Sequence, residues 1–153
     1  MYRFTLFLKG ECQMDEIDRH ILELMQQQAR ISMTELGRQI GLSTPATTER
    51  VKRLEDRKVI TGYRAIVNPE KMDKHMTAFI LYDTHRCEAF REFCRQQPTV
   101  IECHRLAGQY SYLVKVVTEN VRTLESFIDE SMEYGRPSSL INLSSPVSFR
   151  PIV

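Results

Sequence analysis

The chain has 153 residues, of which 42% are hydrophobic and 27% are charged, and its formal net charge is +1. These values are typical of a globular protein with one or two small domains, and no stretch approaches the roughly 20 apolar residues that a membrane-spanning helix needs. A net charge near zero excludes nucleic-acid recognition by global charge, so any such function must depend on local charge.

Residues 1–13 form an N-terminal extension before the first segment with helical periodicity. Two interpretations of this extension are open. Either translation starts at Met14 and the extension is not native, or the alternation of Phe4, Leu6 and Leu8 marks an additional strand.

The cysteines form no CxxC pair, and no secretory signal precedes them; they are Cys12, Cys87, Cys94 and Cys103. We therefore expect free thiols in a cytoplasmic protein. A zinc site that combines the last three with His104 is the alternative, although this spacing matches no familiar zinc pattern.

Residues 14–68 are predicted to form a winged helix-turn-helix domain. Apolar residues recur at helical spacing over residues 15–28, and a capping box at residues 32–35 starts a short second helix that Gly41 ends at a positive φ. Ser43 caps a third helix, which extends to about residue 57 and is expected to bury Ala46, Val51 and Leu54. Short strands at 59–60 and 63–67 are expected to pair as the wing.

The third helix is predicted to enter the major groove of double-stranded DNA. Its hydroxyl groups can approach phosphates or base edges, its basic side chains supply charge, and an arginine can read guanine. The candidate DNA-binding residues are Ser43, Thr44, Thr47, Thr48, Arg50, Lys52 and Arg53. The alternative is an amphipathic helix with a solvated charged face, and acidic neighbours at i,i+4 spacing are expected to pair with some of the bases.

Residues 69–75 are predicted to be a linker, and residues 76–153 a ferredoxin-like βαββαβ domain, which places the chain in the α+β class. Strands are expected at 76–83, 100–106, 110–118 and 140–149, and helices at 88–97 and 120–134. One sheet face lacks helices and carries apolar residues such as Phe79, Leu81, Leu113 and Val117. An open apolar face favours a homodimer, which would place two reading helices on a two-fold axis.

The chain resembles the Lrp/AsnC, or feast/famine, transcriptional regulators from residue 14 onward. The matching motifs are Asp15-x-x-Asp18-x-x-Ile21-Leu22, Glu35-Leu36, Ile40-Gly41-Leu42-Ser43, Glu49-Arg50-Val51-x-Arg53-Leu54 and Val59-Ile60-x-Gly62-Tyr63. The resemblance implies a DNA-binding regulator whose dimers assemble into octamers and whose second domain binds an amino acid or a related small effector.

The effector site implied by the resemblance lies at the loop between the second and third strands. The candidate residues are Gly108, Gln109, Tyr110, Ser111, Ser138 and Ser139. Gln109 and Ser111 stand where many members carry acidic residues, so the effector differs from a typical one or is absent. Alternatively, Gly108 belongs to a simple hairpin turn, and Tyr110 and Tyr112 lie at a dimer interface.

The leading functional hypothesis is a sequence-specific transcriptional regulator that is not an enzyme and needs no cofactor. A nucleoid-like protein that bends DNA with little sequence preference is the first alternative. The second is an enzyme resembling the sirohaem decarboxylases, for which His104 and Arg105 are the only nearby candidate residues.

Overall fold

The computed structural model describes residues 14–152, and these residues form two compact units. The first unit contains the residues up to Ala65 together with the segment from Val147 onward, and the second unit extends from Ile66 to Pro146. The division between these units lies three residues before the expected domain end at residue 68, and it groups the segment from Val147 with the first unit. The interpretations of residues 1–13 concern a segment outside the described residues.

Three helices form the first unit, with α1 at Glu16–Gln27, α2 at Met33–Ile40 and α3 at Thr44–Asp56. Their apolar faces enclose one core, whose buried residues are Ile21, Met25, Ile31, Leu36, Val51 and Leu54. The helical periodicity of the sequence thus identifies the core of this unit correctly.

The helix ends of this unit follow from local hydrogen-bonding chemistry. The Asp15 carboxylate accepts a hydrogen bond of 2.7 Å from the backbone N–H of Asp18 and so caps α1. Gly41 ends α2 with φ = 73°, a left-handed conformation that costs glycine little, as the sequence predicted.

Helix α3 buries Val51 and Leu54 as expected, but its first buried residue is Thr47 and not Ala46. Thr47, Val51 and Leu54 lie on the inner face, whereas Ala46 is exposed. Thr47 can occupy a fully buried position because its hydroxyl donates a 3.0 Å hydrogen bond to the carbonyl oxygen of Ser43. The inner face therefore starts one residue later than hydrophobicity alone indicated.

The predicted wing is not present among the described residues. Residues 57–68 contain no strand, and Gly62 lacks the positive φ that a two-residue hairpin turn requires. The positive φ falls instead at Lys58 (58°), directly after α3, where the chain turns away from the helix. The Tyr63 hydroxyl then donates a 2.8 Å hydrogen bond to the Glu55 carboxylate of α3.

The C-terminal segment contacts α1 through a reciprocal pair of hydrogen bonds. The side-chain amide of Gln26 donates to the carbonyl oxygen of Ile152 at 3.0 Å and accepts from the N–H of Ile152 at 2.9 Å. This pairing satisfies both groups of the amide and explains why the end of the chain belongs to the first unit.

The second unit has the predicted βαββαβ order. After a 3₁₀ helix at Pro69–Met72, the elements are β1 (Met76–Asp83), α4 (Cys87–Gln96), β2 (Val100–Arg105), β3 (Tyr112–Thr118), α5 (Val121–Ser131) and β4 (Arg136–Ile141). The strands pair antiparallel in the order β2-β3-β1-β4, which confirms the ferredoxin-like arrangement.

The core of the second unit lies between the sheet and the two helices. It combines alternate residues of β1 and β3 with the inner faces of α4 and α5, and includes Ile80, Tyr82, Phe90, Val114 and Phe127. The Tyr82 hydroxyl donates a 2.8 Å hydrogen bond to Ser131, so this buried polar group is satisfied. No helix of residues 14–152 is long and apolar enough to cross a membrane.

The final strand begins four residues earlier than predicted and ends at Ile141. Pro137 was expected to lie outside it, but β4 is an edge strand, where a proline costs no ladder hydrogen bond if its nitrogen faces outward. Gly135 allows this early start because a Cβ there would lie 2.9 Å from the carbonyl oxygen of Asp83.

Candidate nucleic-acid interface

The close approach of α2 and α3 depends on Gly37. A Cβ at this position would lie 2.6 Å from the carbonyl oxygen of Leu42 and 2.8 Å from the Thr47 hydroxyl oxygen. Glycine therefore leaves the space that the Leu42 carbonyl group and the Thr47 side chain occupy beside α2. The glycine interrupts an otherwise amphipathic helix, which is the sequence signal that could have identified it.

The start of α2 carries only half of the predicted capping box. The Ser32 hydroxyl accepts a 3.1 Å hydrogen bond from the N–H of Glu35. The Glu35 carboxylate accepts instead from Arg38 and Gln39, each at 2.7 Å. These donors, Arg38 first, lower the pKa of Glu35 to about 2, and the carboxylate in turn offsets the charge of Arg38.

The exposed face of α3 carries hydroxyl groups at its start and free cations farther along. Thr44 and Thr48 are exposed, and the Thr48 hydroxyl donates a 2.9 Å hydrogen bond to the carbonyl oxygen of Thr44. Lys52 and Arg53 are also exposed, and neither side chain forms a hydrogen bond or ion pair with any other residue of 14–152. The expected pairing of these two bases with acidic residues of α3 is therefore not present in the described structure.

The first turn of α3 presents backbone donors as well. Ser43 is the N-cap, and its hydroxyl oxygen lies 3.5 Å from the N–H of Ala46, a long contact that leaves both groups able to meet other partners. Pro45 removes one backbone donor in the first turn, where the N–H would lack an intrahelical partner in any case. The positive end of the helix dipole thus coincides with exposed hydroxyl groups.

Arg50 and Thr47 belong to the packing of the unit and not to this exposed face. The Arg50 guanidinium lies 2.7 Å from an oxygen of Asp15 and 2.8 Å from an oxygen of Asp18. Asp18 is only 3% exposed, and Thr47 is fully buried. Arg50 thus joins α3 to the start of α1, and its charge is offset by two carboxylates before any DNA is present.

The predicted effector loop connects β2 to β3, and one of its residues contacts β1. Gly108 has φ = 145°, and the loop is closed by a 2.9 Å hydrogen bond from the N–H of Leu106 to the carbonyl oxygen of Ser111. The N–H of Ser111 donates a 2.7 Å hydrogen bond to the carbonyl oxygen of Tyr82. The Ser111 hydroxyl donates a 3.2 Å hydrogen bond to the carbonyl oxygen of Thr84. Gln109 is exposed and Tyr110 is half-buried.

A cleft of about 380 Å³ lies beside this contact, at the end of β1 and the turn before β4. Its lining residues are Asp83, Thr84, His85, Arg86, Met132, Glu133, Tyr134, Gly135 and Arg136. Ser111 reaches the cleft through Thr84, whereas Gly108 is not part of its lining. Asp83 and Arg136 lie opposite each other across β1 and β4 without forming an ion pair.

The two candidate serines of β4 cannot share one ligand from the same side of the sheet. Ser138 is paired with Leu81 and Ser139 with Ile80, and consecutive strand residues point to opposite faces. The same rule separates His104 from Arg105 on β2, which pair with Leu113 and Tyr112. The four proposed zinc ligands do not assemble either, since no three metal-ligating side chains converge within the described residues.

The face of the sheet opposite the helices carries the expected apolar residues. Leu81 of β1 lies opposite Leu113 of β3, and Phe79, two residues before Leu81 on the same face of β1, lies opposite Lys115. All three apolar residues are half-buried, and Val117 on the same face is 8% exposed. Phe79, Leu81 and Leu113 form the apolar centre of this open face of the sheet.

Two family models match the chain, an AsnC-type helix-turn-helix domain over residues 14–55 and an Lrp/AsnC ligand binding domain over residues 77–152. The HTH-type transcriptional regulator YezC of Bacillus subtilis (strain 168) is 51% identical over 132 residues, which cover 86% of this chain and 95% of that protein. The chain belongs to the Lrp/AsnC family of transcriptional regulators.

Solved structures of Lrp/AsnC regulators share the fold. The B. subtilis LrpC structure aligns with a TM-score of 0.85 and 29% identity, covering 90% of this chain and 100% of that one. The feast or famine regulatory protein of M. tuberculosis complexed with L-methionine aligns with a TM-score of 0.83 and 29% identity, covering 90% of this chain and 97% of that one.

In this Lrp/AsnC chain, the match to the helix-turn-helix domain contains α1 and α2 in full and ends within α3, before the segment where a wing was expected. From the sequence, Asp15 was expected only to cap α1, and Asp18 only to be an acidic residue of its first turn. Their spacing of three residues places both carboxylates on one side of α1, which was the available signal for a shared basic partner.

Proposed function

We propose that this transcriptional regulator contacts double-stranded DNA through the exposed face of α3, formed by Ser43, Thr44, Thr48, Lys52 and Arg53. The observation that carries the proposal is the combination of exposed hydroxyl groups at the helix start with two cations that no carboxylate of the described chain neutralises. Phosphate oxygens and guanine edges are the acceptors that such a face fits.

The residues of α3 that contact DNA and those that position the helix lie on different sides of it. Thr44, Thr48 and Lys52 are spaced four residues apart along one side of α3, so all three can contact DNA within the same major groove. Thr47 and Arg50 lie on the sides that face α2 and α1, where they hold the helix in place. We therefore assign contact with DNA to the first group and positioning of the helix to the second.

A fluorescence-anisotropy titration with DNA from the promoter of its own gene tests this assignment. Lys52→Ala and Arg53→Ala are each expected to weaken binding at least several-fold, because each removes a charge that contacts DNA. Arg38→Ala is the matched control, since Arg38 is an exposed arginine of the same unit that is already paired with Glu35. Equal losses for all three variants would contradict the assignment.

Competition with unrelated DNA distinguishes a sequence-specific regulator from an architectural protein. A regulator with discrete operators is expected to retain its complex under an excess of unrelated duplex, because specific binding typically exceeds nonspecific binding by about 10³-fold or more. Complete displacement at equal concentration would favour the architectural alternative.

We also propose that the second unit binds an amino acid in the cleft between β1 and the turn before β4. The unpaired carboxylate of Asp83 and guanidinium of Arg136 match the ammonium and carboxylate groups of a free amino acid. The match to the Lrp/AsnC ligand binding domain and the likeness to the L-methionine complex support a ligand of this class.

Isothermal titration calorimetry with the twenty amino acids tests the effector proposal. Asp83→Asn and Arg136→Gln are each expected to reduce the affinity for a bound amino acid by about ten-fold or more, because each removes one charge-assisted contact. Gln109→Ala is the control from the neighbouring loop. Binding that both cleft variants retain but Gln109→Ala loses would place the effector at the loop instead.

We further propose that the open face of the sheet forms a homodimer, which can assemble into an octamer. Phe79, Leu81 and Leu113 give this face an apolar centre, and a two-fold partner would cover it while presenting two copies of α3. Analytical ultracentrifugation of Leu81→Asp tests the interface. This variant is expected to sediment as a monomer, and an unchanged oligomer would contradict the proposal.

A further inference from the structure

Two cysteines from different elements of the second unit face the same interface, where α4 packs against β2. Cys94 is buried on the inner face of α4 and belongs to the core. Cys103 pairs with Val114, a buried residue of the face that the helices cover, so its side chain lies on the α4 side of β2. The third cysteine of the described chain, Cys87, is held separately by a contact of 3.8 Å with the carbonyl oxygen of Thr84.

The two thiols differ in exposure and in ionisation, since Cys94 is buried and Cys103 is exposed. The neighbouring Cys94 thiol, and after it the side chains of His104 and Arg95, lower the pKa of Cys103 to about 7. The neighbouring Cys103, together with burial, raises the pKa of Cys94. Cys103 is therefore the nucleophile of the pair, and it is also the exposed member.

We propose that Cys94 and Cys103 are an oxidation site of the second unit, which a hydroperoxide converts into a reversible intramolecular disulfide. The Cys103 thiolate attacks the peroxide oxygen, forming a sulfenic acid and releasing an alcohol, or water when the oxidant is hydrogen peroxide. The Cys94 sulfur then attacks the sulfenic sulfur, its proton leaves with the hydroxyl group as water, and the disulfide forms. A cellular dithiol restores both thiols by exchange.

The local structure allows the small movement that this bond requires. β2 is an edge strand, it contains a register irregularity between Val100 and Glu102, and all its residues after Val100 are exposed. An edge strand with a bulge can shift toward α4 without breaking a second ladder. Gly108 lies three residues after the end of β2. The disulfide would therefore fix the start of the β2–β3 loop, which lies beside the cleft proposed to bind an amino acid.

Peptide mapping of the full chain tests the proposal directly. Trypsin separates the four cysteines, because its sites place Cys94 in residues 92–95, Cys103 in residues 96–105, Cys87 in residues 87–91 and Cys12 in residues 10–19. After stoichiometric hydrogen peroxide and alkylation, we expect a disulfide-linked peptide of 92–95 with 96–105 that dithiothreitol removes. The same product is expected in Cys12→Ser/Cys87→Ser, which retains only this pair.

Two further measurements keep the result decisive if one variant folds poorly. Cys103→Ser, a change at an exposed position, is expected to abolish the linked peptide and leave Cys94 alkylated only after unfolding. In Cys94→Ala, alkylation of Cys103 at pH 7 is expected to slow by up to roughly six-fold, because a rise of the pKa from about 7 toward 9.0 reduces the thiolate fraction more than it raises its nucleophilicity. An unchanged rate would contradict the thiol–thiol contact.

The proposal is overturned if peroxide converts Cys103 to its sulfinic acid without any linked peptide. It is also overturned if the linked peptide arises only from species that migrate as dimers on a nonreducing gel, since the bond would then join two chains. Linkage of Cys103 to Cys87 or Cys12 at a comparable yield would likewise exclude a dedicated pair.

Discussion

Replacement of Arg50 by alanine would leave the Asp18 carboxylate, which is 3% exposed, without its charged partner. Removing one member of a buried ion pair typically costs about 3–5 kcal/mol, and solvent access lowers the cost. The Arg50 side chain is 23% exposed, and the exposed Asp15 can turn to solvent. We therefore expect the free energy of unfolding of the first unit to fall by about 2–3 kcal/mol.

Urea denaturation followed by circular dichroism measures this loss. Arg53→Ala, in the same helix and three residues away, is the matched control and is expected to change stability by less than about 0.5 kcal/mol, since its side chain has no partner among the described residues. A cycle that combines Arg50→Met with Asp18→Asn isolates the pair itself and should show a coupling energy.

A positioning role for Arg50 is refuted if Arg50→Ala is as stable as the unchanged protein yet loses DNA binding. That result would mean that Arg50 leaves the two carboxylates to contact DNA, as the sequence alone suggested. Weaker DNA binding that accompanies destabilisation and recovers when the variant is studied at lower temperature would instead agree with a positioning role.

Acidification provides an independent check on the same contact. The N–H of Asp18, and then the guanidinium of Arg50, lower the pKa of Asp15 below its ordinary 3.8. A carboxyl group whose pKa is depressed on folding stabilises the native state above its unfolded pKa and loses that contribution as the pH falls toward the folded value. We expect stability to decline below about pH 4, and to decline less steeply in Arg50→Ala.

Three smaller changes test the local geometry. Gly37→Ala should cost about 1–3 kcal/mol because its Cβ would collide with backbone and with a buried hydroxyl, whereas Gly62→Ala, with no atom within 4 Å, should be nearly neutral by the same denaturation measurement. NMR titration should place the pKa of Glu35 at about 2, rising toward 4.5 in Arg38→Ala. Asn120→Ala should cost about 1 kcal/mol, because it removes the reciprocal cap of α5.

The parts of the fold that sequence predicted are those that depend on local periodicity and caps. The apolar spacing from Ile21 to Leu54 defined the first core, and Gly41 was identified by its position after two helical turns. The alternation of β1 and β3 was equally clear, and the order of elements then determined the sheet arrangement.

The errors arose where a hydrogen bond or a backbone turn that the hydropathy pattern does not record decides the structure. Thr47 is buried because Ser43 satisfies its hydroxyl, and no hydrophobicity pattern contains that hydrogen bond. The dipeptide before Tyr63 favoured a hairpin turn, but the backbone turns at Lys58 instead. The C-terminal segment is hydrogen-bonded to α1 through the side-chain amide of Gln26, a contact that nothing in the neighbouring sequence indicates.

At the candidate site too, some features could be predicted from the local sequence and others could not. The composition of α3 indicated hydroxyl and basic residues correctly, but it could not show which bases were already neutralised by carboxylates. Arg50 lies 35 residues from Asp15 in the chain, and only the packing of α1 on α3 brings them together. The placement of Cys94 and Cys103 at one interface likewise depends on the docking of α4 on the sheet and has no spacing signature.

The central claim is that Lys52 and Arg53 contact DNA while Arg50 positions the helix that carries them. The most direct measurement is the slope of log K against log salt concentration for binding to the operator, because each phosphate contact contributes about −0.9 to that slope. Lys52→Ala and Arg53→Ala should each make the slope shallower by up to about one unit when the lost contact is to phosphate, and Arg50→Ala should leave it unchanged at a temperature where the variant is folded. A slope that Arg50→Ala alone reduces would contradict the account.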